Sequence, residues 1–438
     1  MGKRVRAWAR LFSIFSIGVF VLSVTKAEAF LDLNASLSVA ETYTDNLFFS
    51  PGGRQDEDDF GTIITPSVSL TYESKNIVLS GAYVGTGQLF ANNPEANAYT
   101  QGANFGLDLP FLTRRYKNLE VKFNESFNIT PTLPAFTANN ESNQLAGGVP
   151  GSQGVAAGGI GGIGGRAGNS VSNQGLFTGR STTHIQNNAG VNVTFGVSPR
   201  LSFFASYQNG FSSFTDSALQ GSLRHRVRGG MGFAVSPRTS LNVFYGFQLI
   251  DFEGTGSTTA QSPGSGGTST SHSAGVGGRH QLTPTMAFVG SGSVALTETE
   301  TDSTRVNFTT RLGITKVFKI VQTSLSYNHG IGTGGGLAAS STLSQTLVAS
   351  VSRGFTRRVS GFVQVGIARN KSLSGVAIDS ESFQASGGVS ARFLSWLNGF
   401  VAYTYITQDS TGTFGTTAQS NQVIVGLSAA APSLRFFK

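Results

Sequence analysis

The sequence has no cysteine. This excludes disulfides, thiolate metal sites, a cysteine nucleophile and a lipid-modified cysteine together, and it fits an oxidising, periplasmic route. Charge is also scarce. Only 12% of the 438 residues are Asp, Glu, Lys or Arg, about half the share of a soluble globular domain. A soluble chain of this length needs a charged surface, whereas a barrel wall in lipid faces hydrocarbon and does not. Beyond the amino terminus there is no apolar run of about eighteen residues, the length a spanning helix requires. No H-E-x-x-H pair, Cys/His metal spacing or G-x-S-x-G elbow occurs, so the sequence points to no enzyme, no metal and no cofactor. The glycines at 158–165 lack the strand-then-helix setting of a phosphate loop.

At the amino terminus, Lys3, Arg4, Arg6 and Arg10 precede an apolar stretch over residues 11–24, and Ala27-Glu28-Ala29 follows as an A-x-A step. This is the pattern of a cleavable secretory signal over residues 1–29, leaving a mature chain of 30–438. Cleavage would remove five positive charges (Lys3, Arg4, Arg6, Arg10, Lys26) and one negative (Glu28), taking the net charge from +8 to +4. The basic balance of the whole chain therefore carries no nucleic-acid inference.

The mature chain alternates with period two, the signal of a strand with one apolar face. Ala189, Val191, Val193, Phe195 and Val197 share one face, and Asn188, Gly190, Asn192, Thr194 and Gly196 share the other. Ser198-Pro199-Arg200, Ser236-Pro237-Arg238 and Thr283-Pro284-Thr285 interrupt the pattern. Proline presets a turn and cannot occupy a central strand, so these mark hairpin ends.

Segments of this kind predict about eighteen strands, within a range of 16–20. The fold class expected is all-β: a transmembrane, antiparallel, up-and-down barrel. Connections alternate between short ones, read as periplasmic turns, and longer polar ones at 44–60, 91–97, 130–181 and 252–270, read as outer loops. The longest of these, 130–181, holds a glycine-rich stretch over 147–170.

Two polar features stand out. Arg224, Arg226 and Arg228 alternate along one strand. On the lipid face each would cost about 2–4 kcal/mol at the midplane, so they are expected to face the lumen. Arg279, Arg305, Arg311, Arg392 and Lys122 fall on lumen faces by the same parity, opposed by Asp32, Glu73, Asp108 and Glu120. A basic lumen wall would favour anionic solutes or acidic sugar polymers; the alternative is that the arginines hold inward-folded loop acids. The second feature is Asp56-Glu57-Asp58-Asp59 in the first outer loop. It reads as a solvated charge run, with a cation site as the weaker reading because the D-x-D-x-D-G form is missing. His225 falls on the lipid-facing side, and aromatics including Phe60, Phe90, Tyr99, Phe111, Tyr116, Phe214, Phe252, Phe318, Phe355, Phe393 and Trp396 cluster at predicted strand ends, as interfacial girdles do.

Glu41-Thr42-Tyr43-Thr44-Asp45-Asn46-Leu47-Phe48, followed by Thr65-Pro66-Ser67-Val68-Ser69-Leu70-Thr71-Tyr72, resembles the opening of a broad family of porin-like outer-membrane barrels associated with exopolysaccharide and exosortase (PEP-CTERM) systems. The close match spans about 40 residues, and the remainder agrees in pattern. The resemblance implies a passive channel exporting an exopolysaccharide or related solute, and supplies no catalytic residue. The expected partners are outer-membrane lipid and lipopolysaccharide, the β-barrel assembly machinery, an exopolysaccharide and periplasmic export components, with no nucleic acid. A general uptake porin and a structural or adhesion barrel with a filled lumen are the competing readings. Such barrels commonly end on an aromatic residue. Here Pro432 interrupts the last strand and the chain ends Phe436-Phe437-Lys438, so either the strand resumes after a break or the terminal signal is non-standard.

Overall fold

The computed structural model describes residues 29–47, 58–116, 118–130, 183–215, 221–252, 267–299, 302–334, 340–372, 378–412 and 416–437. Residues 1–28, read from sequence as a signal, most of the 130–181 loop and Asp56 and Glu57 lie outside these residues. Eighteen long strands run in chain order. They are β1 (Ala29–Thr44), β2 (Asp59–Ser74), β3 (Val78–Phe90), β4 (Ala98–Asp108), β5 (Leu119–Thr130), β6 (His184–Ser198), β7 (Leu201–Phe214), β8 (Ser222–Ser236) and β9 (Thr239–Phe252). The second half comprises β10 (Thr268–Thr283), β11 (Met286–Thr299), β12 (Asp302–Val317), β13 (Val321–Gly334), β14 (Ser340–Gly354), β15 (Val359–Ser372), β16 (Ile378–Arg392), β17 (Leu397–Gly412) and β18 (Thr416–Ala430). A short β19 (Leu434–Phe437) follows Pro432, and a one-and-a-half-turn helix α1 (Pro110–Arg115) sits between β4 and β5.

Each strand pairs antiparallel with its sequence neighbours, and the sheet closes on itself. One edge of β1 pairs with β2 along its length, from Ala29↔Ser74 to Thr44↔Asp59. The other edge pairs with β18 from Ser36↔Ala430 to Thr44↔Gln422, then with β19 from Phe30↔Phe437 to Leu33↔Leu434. β19 thus continues β18 after the Pro432 break, and the barrel is 18-stranded with an interrupted last strand. The open question about the carboxyl terminus resolves in favour of resumption.

The short turns share one chemistry. Ser198 Oγ accepts the backbone N–H of Arg200 and of Leu201 (3.3 and 3.0 Å). Ser236 Oγ accepts Arg238 N–H, Thr283 Oγ1 accepts Thr285 N–H, and Thr356 Oγ1 accepts Arg358 and Val359 N–H. In three of these turns a side-chain oxygen one residue before proline, and in the fourth that of Thr356, satisfies the donors that the reversing chain leaves free. The turn after α1 is closed by Asn118, whose φ of 70° is the left-handed conformation Asn tolerates.

Alternation sets the two faces. On β9, Leu241, Val243 and Tyr245 point outward and are exposed, as a lipid-facing stripe requires. At the end of the barrel where β1 begins and β19 ends, Phe111, Tyr116, Phe195, Phe318, Phe355, Phe393, Trp396 and Phe436 form an exposed girdle. Phe60 and Tyr99 are exposed at the other end, and Tyr207, Tyr245 and Tyr403 near mid-strand. Several of their hydroxyls are tied: Tyr207 to His225 Nδ1 at 2.9 Å, Tyr245 to His272 Nδ1 at 2.7 Å, Tyr403 to Asn421 at 2.6 Å. Three aromatics expected in girdles depart from that reading. Phe90 and Phe214 are half-buried and Phe252 is buried, because their parity turns them inward; position at a strand end does not decide face.

The lumen is not uniformly polar. Ala40, Ile63 and Phe400 are buried together on the inner face, with Phe362 and Ile424 against them. This apolar patch lies beside the closing seam of the barrel.

Candidate functional site

The site is the lumen wall formed by β7 to β12. Arg224, Arg226 and Arg228 all project inward from β8, since their outward alternates Val227, Met231 and Phe233 are exposed to the exterior. Arg224 is buried and its Nη2 donates to Asn188 Oδ1 on β6 at 3.4 Å. Gly210, between them on β7, leaves the passage for that guanidinium: a Cβ there would come within 2.9 Å of Nη2.

Arg228 is held differently. Its guanidinium lies 3.7 Å from the centroid of Phe244 and 5.8 Å from that of Phe204, a cation–π sandwich. Each ring covers a glycine on the next strand. Phe204 pairs directly with Gly230 and Phe244 with Gly275, and a Cβ at either glycine would come within 2.6 Å of the ring. The same pairing recurs across the barrel at Phe362 over Gly388 and Phe400 over Gly426.

Arg311, inward on β12, lies close enough to feel the charges of Arg226 and Arg228. Four arginines from two separated strands therefore share one region of the lumen. Arg279 and Arg305 also face inward, but away from that group: Arg279 near the turn end of β10 and Arg305 near the outer end of β12. Among the described strand residues, the inward carboxylates stand at the rims. Asp32, Glu73, Asp108 and Glu120 are at the turn end, where Asp32 binds Arg435 (Oδ1–Nε 2.7 Å) and Glu120 pairs with Lys122. Asp59 is at the outer rim.

Asp59 departs from the acidic-run reading. It opens β2, is 1% exposed, and its carboxylate accepts N–H groups from Phe60 (2.7 Å), Asn92 and Asn93, backbone and side chain alike. Those donors occupy the oxygens that a cation would need, and they tie the β3–β4 loop to the rim. Asp58 is exposed. Among the described residues, no three of His, Cys, Asp and Glu converge as a metal site.

The short turns are basic. Arg114, Arg200, Arg238, Lys319, Arg357 and Arg358 stand in them, and none of these turns contains a carboxylate. The connections at the opposite end contain Asp45, Asp58 and Glu95 among the described residues. The basic mouth is legible once turns are assigned. The phenylalanine–glycine pairs are not, because residues paired across strands are distant in sequence.

Wall, girdles and lumen define the class: a transmembrane β-barrel of the outer-membrane type. No family model matches the sequence, and no curated protein matches it. Among solved structures, the outer membrane protein opdK from Pseudomonas aeruginosa is similar at 11% identity and a TM-score of 0.43, covering 93% of this chain and 99% of that one. OccK3 (OpdO) from the same organism is similar at 10% identity and 0.42, covering 91% and 96%. The FrpB iron transporter from Neisseria meningitidis is similar at 6% identity and 0.43, covering 91% and 82%.

Proposed function

We propose that this barrel is a passive outer-membrane channel for anionic solutes, and that its cargo is an acidic secreted polysaccharide that enters from the periplasm. The observation that carries the reading is the group of Arg224, Arg226, Arg228 and Arg311 on the lumen wall, with the inward carboxylates of the described strands confined to the rims. Like charges brought together raise a positive potential that a polyanion would neutralise. The basic turns extend this potential to the periplasmic mouth. The resemblance at residues 41–72 to barrels of exopolysaccharide systems supplies the polymer. Nothing in the sequence resembles a nucleotide site, so transport is passive and the polymer is pushed from below.

The test is single-channel conductance in a planar bilayer, with and without residues 140–175. Steady conductance with anion preference supports the channel, and cation preference counts against it. Conductance only after the deletion makes the glycine-rich loop a plug. Loss of the gene with secreted polysaccharide unchanged would remove the export reading and leave general uptake.

One observation favours a second reading. The apolar patch of Ile63, Phe362 and Phe400 inside the wall suits a barrel with a filled lumen and a structural or adhesive role. Silence in both bilayer experiments would select it.

A further inference from the structure

Outward-facing charge at the turn end is confined to one sector of the wall. Among the described strand residues, two bases face outward there. Lys316 on β12 shares its face with the exposed Leu312, and Arg353 on β14 shares its face with the exposed Leu347 and Val351. The ladder sets them on either side of β13. Lys316 stands opposite Thr323, which stands opposite Val351, and Arg353 stands opposite Val321. Two strand spacings and a two-residue offset place their Cα atoms roughly 12 Å apart, within the joint reach of two long side chains. The carboxylates of the described strands at this end, Asp32, Glu73, Asp108 and Glu120, take the lumen parity instead.

Each base lies against the aromatic two residues after it. Lys316 Nζ is 4.7 Å from the centroid of Phe318, and the Arg353 guanidinium is 5.5 Å from that of Phe355. The Phe355 ring is itself laid on the wall, since a Cβ at Gly361 would come within 2.9 Å of it. Among the described residues, neither cationic head has a carboxylate partner. The two turns beyond are tight. Phe318 N–H donates to Val321 O at 2.7 Å, and Phe355 N–H donates to Val359 O at 2.9 Å. They present Lys319, Arg357 and Arg358 to solvent and contain no acid.

Toward mid-strand the same outer face carries Leu325, Val351 and Val363, all exposed. The sector is therefore apolar along the wall, aromatic at the girdle and basic at the end. The matching outward positions beside the β6–β7 and β8–β9 turns are Val197, Val235 and Leu241, so this order of chemistry is not common to every hairpin. Lys316 and Arg353 stand outside the wall, where acyl chains and headgroups meet them and a solute in the lumen does not. A ligand that touches the whole sector needs apolar chains along the strands and an anion at the end. Each base near an anionic lipid surface strengthens binding by roughly fivefold.

We propose that the β12–β14 rim is a binding site for a phospholipid with an anionic headgroup, in the leaflet that meets the short turns. The phosphate sits between Lys316 and Arg353, and the acyl chains lie along Leu325 and Val351. Lys319, Arg357 and Arg358 face the outer part of the headgroup. The site is on the outside of the barrel and does not depend on what crosses the lumen.

The test is native mass spectrometry of the full barrel in detergent, titrated with phosphatidylglycerol or with phosphatidylcholine of the same chains. Folding of every variant is checked by heat-modifiable gel migration. The wild type is expected to bind phosphatidylglycerol at least fivefold more tightly than phosphatidylcholine. The pair Lys316→Gln and Arg353→Gln should weaken phosphatidylglycerol at least tenfold, and Lys316→Arg alone should retain it. The pair Arg200→Gln and Arg238→Gln removes the same charge from turns elsewhere on the same end, and should stay within twofold of wild type. The anion preference of the channel should be unchanged in Lys316→Gln, Arg353→Gln, which separates this site from the arginines of the lumen. Equal binding of the two lipids by the wild type would overturn the proposal, as would equal weakening in the Arg200→Gln, Arg238→Gln control. Displacement of phosphatidylglycerol by excess polygalacturonate would assign these bases to a polymer at the mouth and overturn it as well.

Discussion

The Arg228 guanidinium stacks 3.7 Å from the centroid of the Phe244 ring, and that ring lies over Gly275. A charge inside the wall is thus held against an aromatic face. Cation–π contact does not itself neutralise the guanidinium.

Selectivity should follow from that charge. The triple variant Arg224→Gln, Arg226→Gln, Arg228→Gln is expected to reduce anion preference, read as a reversal potential moving toward zero in a salt gradient. The difference from wild type should be large near 0.1 M salt and small near 1 M, as the Debye length falls from about 10 Å to about 3 Å. An unchanged reversal potential at low salt would remove the arginine wall from the permeation path.

The phenylalanine–glycine pairs predict a contrast in stability. A Cβ at Gly230 would collide with the Phe204 ring and with the backbone of Val243. Gly230→Val should therefore cost about 1–3 kcal/mol, as overpacking does. Gly313 has open space around its Cβ direction, so Gly313→Ala should be neutral or stabilising by about 0.5 kcal/mol. Denaturant unfolding from lipid vesicles measures both. Equal effects would mean that ring packing contributes nothing to the wall.

Asp59→Ala should free the β3–β4 loop while leaving the barrel intact. The carboxylate accepts backbone N–H groups of Asn92 and Asn93, and no other acceptor to those two N–H groups appears among the described residues. Deuterium exchange at residues 92 and 93 should accelerate roughly tenfold or more, as local opening is freed from the rim. Exchange in β2 and β3 below the rim should not change. Added calcium should not slow the wild-type loop further, since the oxygens are already engaged by N–H donors.

Much of the architecture was readable in the chain because a closed barrel has one rule, alternation, applied eighteen times. Pro199, Pro237 and Pro284 marked strand ends, and the parity of Arg224, Arg226 and Arg228 gave their face. What alternation does not carry is the content of one register position against another. Asp59 reads as the last of four acids, yet folding separates it from Asp58 by placing it first in a strand.

The resumed terminal strand permits the sharpest test of closure. Pro432 lacks an N–H and interrupts β18, and the four residues of β19 then cover the foot of β1 from Phe30 to Leu33. Removing residues 434–438 would leave that stretch of β1 with an unpaired edge in lipid, at several kcal/mol for each unsatisfied group. Truncation is therefore expected to slow folding into vesicles sharply, read as delayed appearance of the heat-resistant band. Arg435→Ala keeps the backbone ladder and loses an exposed ion pair with Asp32 and a cation–π contact with Phe30, exposed contacts that contribute little, so it should fold at close to the wild-type rate. If both variants fold normally, β19 is an appendage and closure rests on β18 alone. If Arg435→Ala is as slow as the truncation, the side-chain pair guides closure, and the backbone ladder follows from it.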